Sequence, residues 1–150
     1  MTATMTGLDL LLDAAQGKGE APAAAELLGW EALSLEPGYV RVRFTARETF
    51  CNGMGNIQGG FLAAMLDDTM GPALFTLLDN GQFAPTLELK VSFVRPASPG
   101  ALVGEGRVVH KGKSIAFLEG TLSTEGGDLV ATATATTRIF ASNASDALDR

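Results

Sequence analysis

Residues 52–71 read NGMGNIQGGFLAAMLDDTMG, and the fold turns on how that stretch is parsed. Its first half belongs to a loop, because four glycines fall within residues 49–60 and each loosens the backbone. The second half reads as a helix over about 61–78, apolar on nearly every face. A helix without a polar stripe has to be buried almost all round. Pro72 lacks the N–H that an interior helical residue donates, so it should bend this helix or end its regular part. Asp67 and Asp68 interrupt the apolar run, and neither can face hydrocarbon without a partner or a cavity. With Pro72 they also argue against a membrane span over 59–78, since charges at mid-bilayer are costly.

Downstream the period changes. Leu87, Leu89, Val91 and Phe93 alternate with Glu88, Lys90 and Ser92, and Pro96 and Pro99-Gly100 close that strand. Three further strands are predicted over 101–111, 114–124 and 129–140, with hairpin turns at 111–113 and 125–128. In the last, Ala131, Ala133 and Ala135 share one face and Thr132, Thr134 and Thr136 the other. Small side chains let a second backbone approach, and the buried helix is the candidate. Upstream, 7–15 and 22–29 read as short helices stopped by glycines, followed by strands at 30–35 and 39–46. One buried helix and a run of strands is an α+β architecture. The chain is read as one domain over 1–150, with an N-terminal helical segment at 1–29 and a polar, flexible tail at 141–150.

Composition narrows the function. The 150 residues are 46% hydrophobic and 19% charged, which excludes a disordered chain. A length of 150 can bury ~68–70% of the unfolded surface. One cysteine excludes an internal disulfide framework, and one histidine excludes metal motifs that need two. Seventeen acidic against eleven basic residues give a net charge of −6, the wrong sign for a nucleic-acid groove. The first 15 residues lack the basic start of a secretory signal. The expectation is a cytoplasmic protein that binds neither nucleic acid nor membrane.

Candidate chemistry gathers at the loop and helix. Free N–H groups at a helix N-terminus favour negative charge, and a carbonyl developing an oxyanion would suit Gly59 and Gly60. The phosphate-loop and dinucleotide patterns do not match this loop. Asp67 lies nine positions after Gln58, about two turns inside the helix. Burial there would raise its pKa toward that of a general base. The bland alternative for either aspartate is a cap or an arginine pair, and Asp68 is given that reading. Cys51 reads as a buried apolar residue. His110 reads as structural or at a ligand rim, and Lys111 and Lys113 as turn charges or partners for a nucleotide's phosphates.

Residues 52–71, followed by TLELKVSFVRPA and VVHKGKSIAFLEGTL, resemble the hotdog-fold acyl-CoA thioesterases of the phenylacetate-pathway (PaaI-like) type. The resemblance runs from about Tyr39 to Phe140. It implies a long central helix wrapped by a curved antiparallel sheet. It also implies a homodimer, or a dimer of dimers, with active sites at the dimer interface. The family's His-Gly-Gly is Gln58-Gly59-Gly60 here, its helix acid is Asp67, its upstream asparagine is Asn52 and its strand-opening hydroxyl is Thr86. Gly59 N–H would then bind the thioester carbonyl, aided by the amides of Asn52 or Gln58. Asp67 of the facing subunit would be base or nucleophile, and Thr86 would place the water. Glutamine donates a hydrogen bond but cannot carry a proton, so acid catalysis at position 58 is lost.

The resulting expectation is hydrolysis of an acyl- or aryl-CoA to the free acid and CoA. The acyl group would lie beside the helix near Phe61, Met65 and Phe75, with Gly60 at the carbonyl. The phosphates of CoA would lie near Arg95 and the turn His110, Lys111, Gly112 and Lys113. No cofactor is expected beyond CoA as part of the substrate. Two alternatives are a non-catalytic acyl-CoA-binding module, motivated by Gln58, and a dehydratase or hydratase. The second is disfavoured because the lone histidine, His110, lies outside the motif.

Overall fold

The computed structural model describes residues 4–141. It contains α1 (Gly7–Ala15), α2 (Ala23–Leu28), β1 (Glu31–Glu36), β2 (Tyr39–Ala46), a 3-10 turn at Glu48–Phe50, α3 (Gly59–Phe75), β3 (Thr86–Phe93), β4 (Gly100–Lys111), β5 (Ile115–Thr124) and β6 (Leu129–Arg138). The six strands form one antiparallel sheet in the order β1-β2-β4-β5-β6-β3, curved around α3. That is the arrangement expected of a hotdog fold. The tail expected at 141–150 lies, after Ala141, outside the described residues.

Burial follows the sequence periods. In β2, Val40, Val42, Phe44 and Ala46 are buried while Arg41 and Thr45 are exposed and Tyr39 and Arg43 half-buried. On α3, Leu62, Met65, Leu66, Thr69, Met70, Ala73 and Leu74 are all buried, as an apolar-sided helix requires. Ala131, Ala133 and Ala135 lie in the same core. The sheet's tightest approaches to the helix, however, occur at glycines of β4 and β5. A Cβ on Gly106 would lie 2.5 Å from the Thr69 carbonyl oxygen, and one on Gly120 would lie 2.8 Å from Met70 Cγ. These strands can cross the helix because they carry no side chain there.

Pro72 does not end α3, which runs on to Phe75. Proline at that position denies the Asp68 carbonyl its usual i+4 donor. The carbonyl instead accepts from Trp30 Nε1 at 3.0 Å. The break in the ladder thus ties the start of β1 to the middle of the helix. Gly29, at φ +69, turns the chain from α2 into that strand, in a left-handed conformation that glycine adopts without penalty. Helix α1 starts with a reciprocal pair, Thr6 and Asp9. Its Gly7 N–H donates to the Leu78 carbonyl at 3.3 Å. The N-terminal helices are therefore docked beside the Pro72 end of α3.

Candidate active site

The loop before α3 is shaped by Asn52. Its Oδ1 accepts from Met54 N at 3.0 Å and Asn56 N at 3.2 Å, which leaves its NH2 group facing outward from the turn. Gln58 is the N-cap of α3 and extended at φ −61, ψ 139, with no side-chain capping bond. Its Oε1 folds over Gly60, 3.0 Å from where a Cβ would stand. Phe61 and Leu62 return their N–H groups to the Gln58 carbonyl. The N–H groups of Gly59 and Gly60 find no acceptor among the described residues, as expected of a first helical turn. Asn52, Gly59 and Arg95 line one cavity of about 390 Å³, together with Phe93. Arg95 also forms an ion pair with Asp128 at 3.1 Å.

The second group stands elsewhere. Thr86, the first residue of β3, donates its hydroxyl to Asp67 Oδ1 at 2.8 Å. Both line a cavity of about 420 Å³ with Ala64, Pro72 and Asp68. Asp67 is half-buried. The strand registers separate the two groups. Thr86 pairs with Thr137, which pairs with Ala116, which pairs with Lys111. Thr86 therefore shares its end of the sheet with the β4–β5 hairpin, where His110, Lys111 and Lys113 are exposed. Phe93 and Arg95 lie at the other end. Within one chain the structure joins Asn52 to Gly59 and Asp67 to Thr86, but not the two pairs to one another. The basic side chains expected at one rim are likewise divided, Arg95 at one end of the sheet and His110, Lys111 and Lys113 at the other.

Phe61, Met65 and Phe75 line neither cavity. Phe61 stacks on Phe50 with centroids 4.2 Å apart, and Met65 is fully buried in the core. Cys51 is only half-buried, and its thiol sits 3.5 Å from the Gly55 carbonyl. Asp68 has no arginine partner among the described ion pairs. Its Oδ2 is buried without a hydrogen bond. Burial, with the Asp67 charge adding to it, pushes its carboxyl up to about 6. The sequence predicts a carboxyl raised by burial at Asp67; the structure places one at its neighbour.

A family model described as the thioesterase superfamily matches residues 54–131, more than half of the chain. The chain belongs to the thioesterase superfamily. A phenylacetic acid degradation-related protein of Ralstonia eutropha superposes with a TM-score of 0.81 at 36% identity, over 85% of this chain and 97% of that one. This likeness puts the chain in the PaaI-like branch of the superfamily. A Streptococcus mutans protein, solved bound to acetyl-CoA, superposes with a TM-score of 0.69 at 25% identity, over 75% of this chain and 89% of that one. The Saccharolobus solfataricus protein SSO2140, named as an esterase, is 31% identical over 94 residues, 63% of this chain. That match spans 66% of the relative's length. Among the described residues no helix is long and apolar enough to cross a membrane.

Proposed function

We propose that this protein hydrolyses acyl-CoA thioesters, with CoA as part of the substrate and no other cofactor. The observation that carries the reading is the Thr86–Asp67 hydrogen bond inside a cavity, on a chain whose family is the thioesterases. Thr86 fixes Oδ1 and leaves Oδ2 free to accept from a water. That water attacks the carbonyl carbon while Asp67 takes its proton. The carbonyl oxygen becomes an oxyanion held by the Gly59 N–H at the positive end of α3. Collapse breaks the C–S bond, and the proton passes from Asp67 to the departing thiolate.

The catalytic groups stand at opposite ends of the sheet, so the site needs a second copy. β3 is one of the sheet's two edge strands, β1 being the other, and pairs only with β6. Leu87 and Phe93 along it, and Val94 just past its end, are 58%, 55% and 56% exposed. An edge of that kind is a template for another strand. Antiparallel pairing of two β3 edges about a two-fold axis sets the Thr86 end of one copy against the Phe93 end of the other. Each of the two composite sites then holds Asp67 and Thr86 from one subunit and Asn52, Gln58 and Gly59 from its partner. The same pairing brings the His110–Lys113 turn toward the partner's Arg95, giving CoA phosphates a local basic rim against the acidic net charge. A substrate of this kind and a single unpaired cysteine fit a cytoplasmic protein.

The test is free-thiol release from acetyl-, hexanoyl-, palmitoyl-, phenylacetyl- and benzoyl-CoA, with Asp67→Asn alongside. Turnover that falls by about 10²–10⁴ in the variant, with fold and oligomer kept, is the expected result. Near-wild-type turnover in Asp67→Asn would refute the role of this carboxylate. Tight binding of the panel without turnover would make the protein an acyl-CoA-binding module.

A further inference from the structure

Since Phe61, Met65 and Phe75 line neither half of the site, the acyl group of the substrate needs another place. The cavity that holds Asp67 and Thr86 offers one. Ala24, Leu28, Ala64, Ala84 and Pro85 are among its walls. Its volume of about 420 Å³ lies within the range of small-molecule pockets, which are mainly apolar with a few placed polar groups. The polar side chains here are Asp67, Asp68 and Thr86, and among the described residues no lysine, arginine or histidine lines it.

One wall comes from α2. Ala24 and Leu28 stand four positions apart and so share one side of that helix. Leu28 is buried and anchors the helix in the core, whereas Ala24 is exposed. The left-handed turn at Gly29 and the Trp30 indole bond to the Asp68 carbonyl hold the end of α2 beside α3. A second wall is Ala84-Pro85, the segment that leads into Thr86. It is fixed by the Arg138 N–H, which donates to the Pro85 carbonyl at 3.2 Å.

A water activated by Asp67 attacks a carbonyl carbon that stands at this cavity. Two arms leave that carbon, the acyl group and the sulfur of CoA. The CoA arm carries phosphates and needs cations, which this cavity lacks. The cavity lined by Asn52, Gly59 and Arg95, which the partner contributes to the composite site, supplies one. We infer that the acyl arm fills the Asp67 cavity, and that Ala24 on α2 sets the size of the acyl group accepted. This inference rests on the thioesterase reading of Asp67. The acyl groups that such walls suit are uncharged and apolar, and the small side chain at 24 gives them width. Acyl recognition and the base then belong to one subunit, and the oxyanion donor to its partner.

The experiment measures kcat/KM for acetyl-, hexanoyl- and phenylacetyl-CoA in the wild type, Ala24→Leu and Ala24→Phe. Non-hydrolysable thioether analogues of the three are titrated in parallel by calorimetry. A larger side chain at exposed Ala24 displaces no core neighbour, and both replacements are tolerated in helices, so the variants should fold. A ratio of two substrates on one preparation does not depend on how much of the protein is folded. One methylene more or less in an apolar pocket changes discrimination by about 10–200-fold. The phenylacetyl-to-acetyl ratio should therefore fall by about 10-fold in Ala24→Leu and by up to about 200-fold in Ala24→Phe. The hexanoyl-to-acetyl ratio should fall with it, and the analogues should lose affinity in the same order.

Hydrolysis with ratios that stay or rise in both variants overturns the cavity assignment and leaves the thioesterase reading intact. A loss by the same factor for all three substrates also overturns it, because damage to Asp67 or Thr86 does not distinguish acyl groups. No hydrolysis by any of the proteins, with analogue affinities that fall in the expected order, overturns the thioesterase reading and keeps the acyl site. Neither hydrolysis nor an ordered loss of affinity overturns both.

Discussion

The hydroxyl of Thr86 donates to Oδ1 of Asp67 at 2.8 Å, tying the first residue of β3 to the middle of α3 within one subunit. The bond orients the carboxylate and leaves the threonine oxygen able to accept from a water. Thr86→Val keeps the shape and removes the donor. A hydrogen bond to a charged group contributes about 1.5–3 kcal/mol, so kcat should fall by about 10–100-fold. Thr86→Ser should retain most of it. In an Asp67→Asn background, Thr86→Val should cost little more, because the two groups act as a unit. Steady-state kinetics of the four proteins settles the point, and fully additive losses would dissociate the pair.

The Gly59 N–H can be removed almost alone. Gly59 is the first residue of α3, a position that tolerates proline because its N–H has no helical partner. Gln58 is already extended, as a residue before proline must be. The neighbour in the way is the Phe93 ring, 3.0 Å from where a Cβ would stand, and that ring is more than half exposed and free to swing. Gly59→Pro should therefore fold, and lose about 10²–10³ in kcat, the usual cost of one oxyanion donor. Gly59→Ala, which keeps the N–H, controls for the ring's displacement. Equal rates in the two variants would take Gly59 out of the oxyanion site.

Much of this was legible in the sequence, for identifiable reasons. Period two in 87–93 and the apolar-sided run after Gly60 each act over a few residues, so strand and helix follow from local pattern. Residues 52–71 and the two strand stretches after them carried the resemblance, and with it the parts given to Gln58, Asp67 and Thr86. Pro72 was legible as an interruption, but its consequence was not, because the acceptor it frees is filled by Trp30, 38 residues earlier in the chain. Glycine inside a strand weakens it on local grounds, so the pattern around Gly104 and Gly106 gives no reason for them. Their purpose is set by Thr69 on another element. The adjacent carboxylates Asp67 and Asp68 look alike in sequence. Only three-dimensional packing gives one a threonine hydroxyl and buries the other's Oδ2 without a hydrogen bond.

The helix–sheet contact gives a stability prediction. Thr69 is fully buried, and its hydroxyl donates to the Met65 carbonyl at 2.7 Å, so it cannot turn aside cheaply. A Cβ on Gly104 would run into Thr69 Oγ1 and come within 3.1 Å of the Phe44 ring. Gly104→Ala and Gly106→Ala should each lose about 1–3 kcal/mol or more through overpacking. Gly71, inside α3, has nothing within 4 Å of its notional Cβ. Gly71→Ala should gain up to about 1 kcal/mol from helix propensity. Denaturant melts of the three variants check the order, and a neutral Gly104→Ala would mean the sheet stands farther from the helix.

Asp68 makes stability depend on pH in an unusual sense. Its carboxyl titrates at about 6 in the folded protein, against an ordinary value of 3.8. Between those values the folded state keeps a proton that the unfolded chain gives up, so stability falls as pH rises through the window and stays lower above it. A difference of that size corresponds to about 3 kcal/mol at most, reduced by solvent that reaches the group. Asp68→Asn removes the titration and should gain about 1–2 kcal/mol at pH 8 while matching the wild type near pH 4. Thermal melts across that range read the difference. A gain that is the same at both ends would mean that the carboxylate's charge is not what costs stability.

A site divided between two ends of a sheet can be rebuilt from broken halves. Asp67→Asn leaves the Asn52–Gly59 half intact, and Gly59→Pro leaves the Asp67–Thr86 half intact. In a dimer of one with the other, one composite site carries both defects and its twin carries neither. Random re-pairing makes half the dimers mixed, so refolding the two inactive variants together should restore about a quarter of wild-type turnover per subunit. The restored turnover should have the wild-type KM, because the surviving site is unaltered. Leu87→Arg, which places a charge on the β3 edge, should lower the dimer population and the recovered activity together. Activity that does not return on mixing, while native mass spectrometry shows mixed dimers, would put both halves of the site in one subunit.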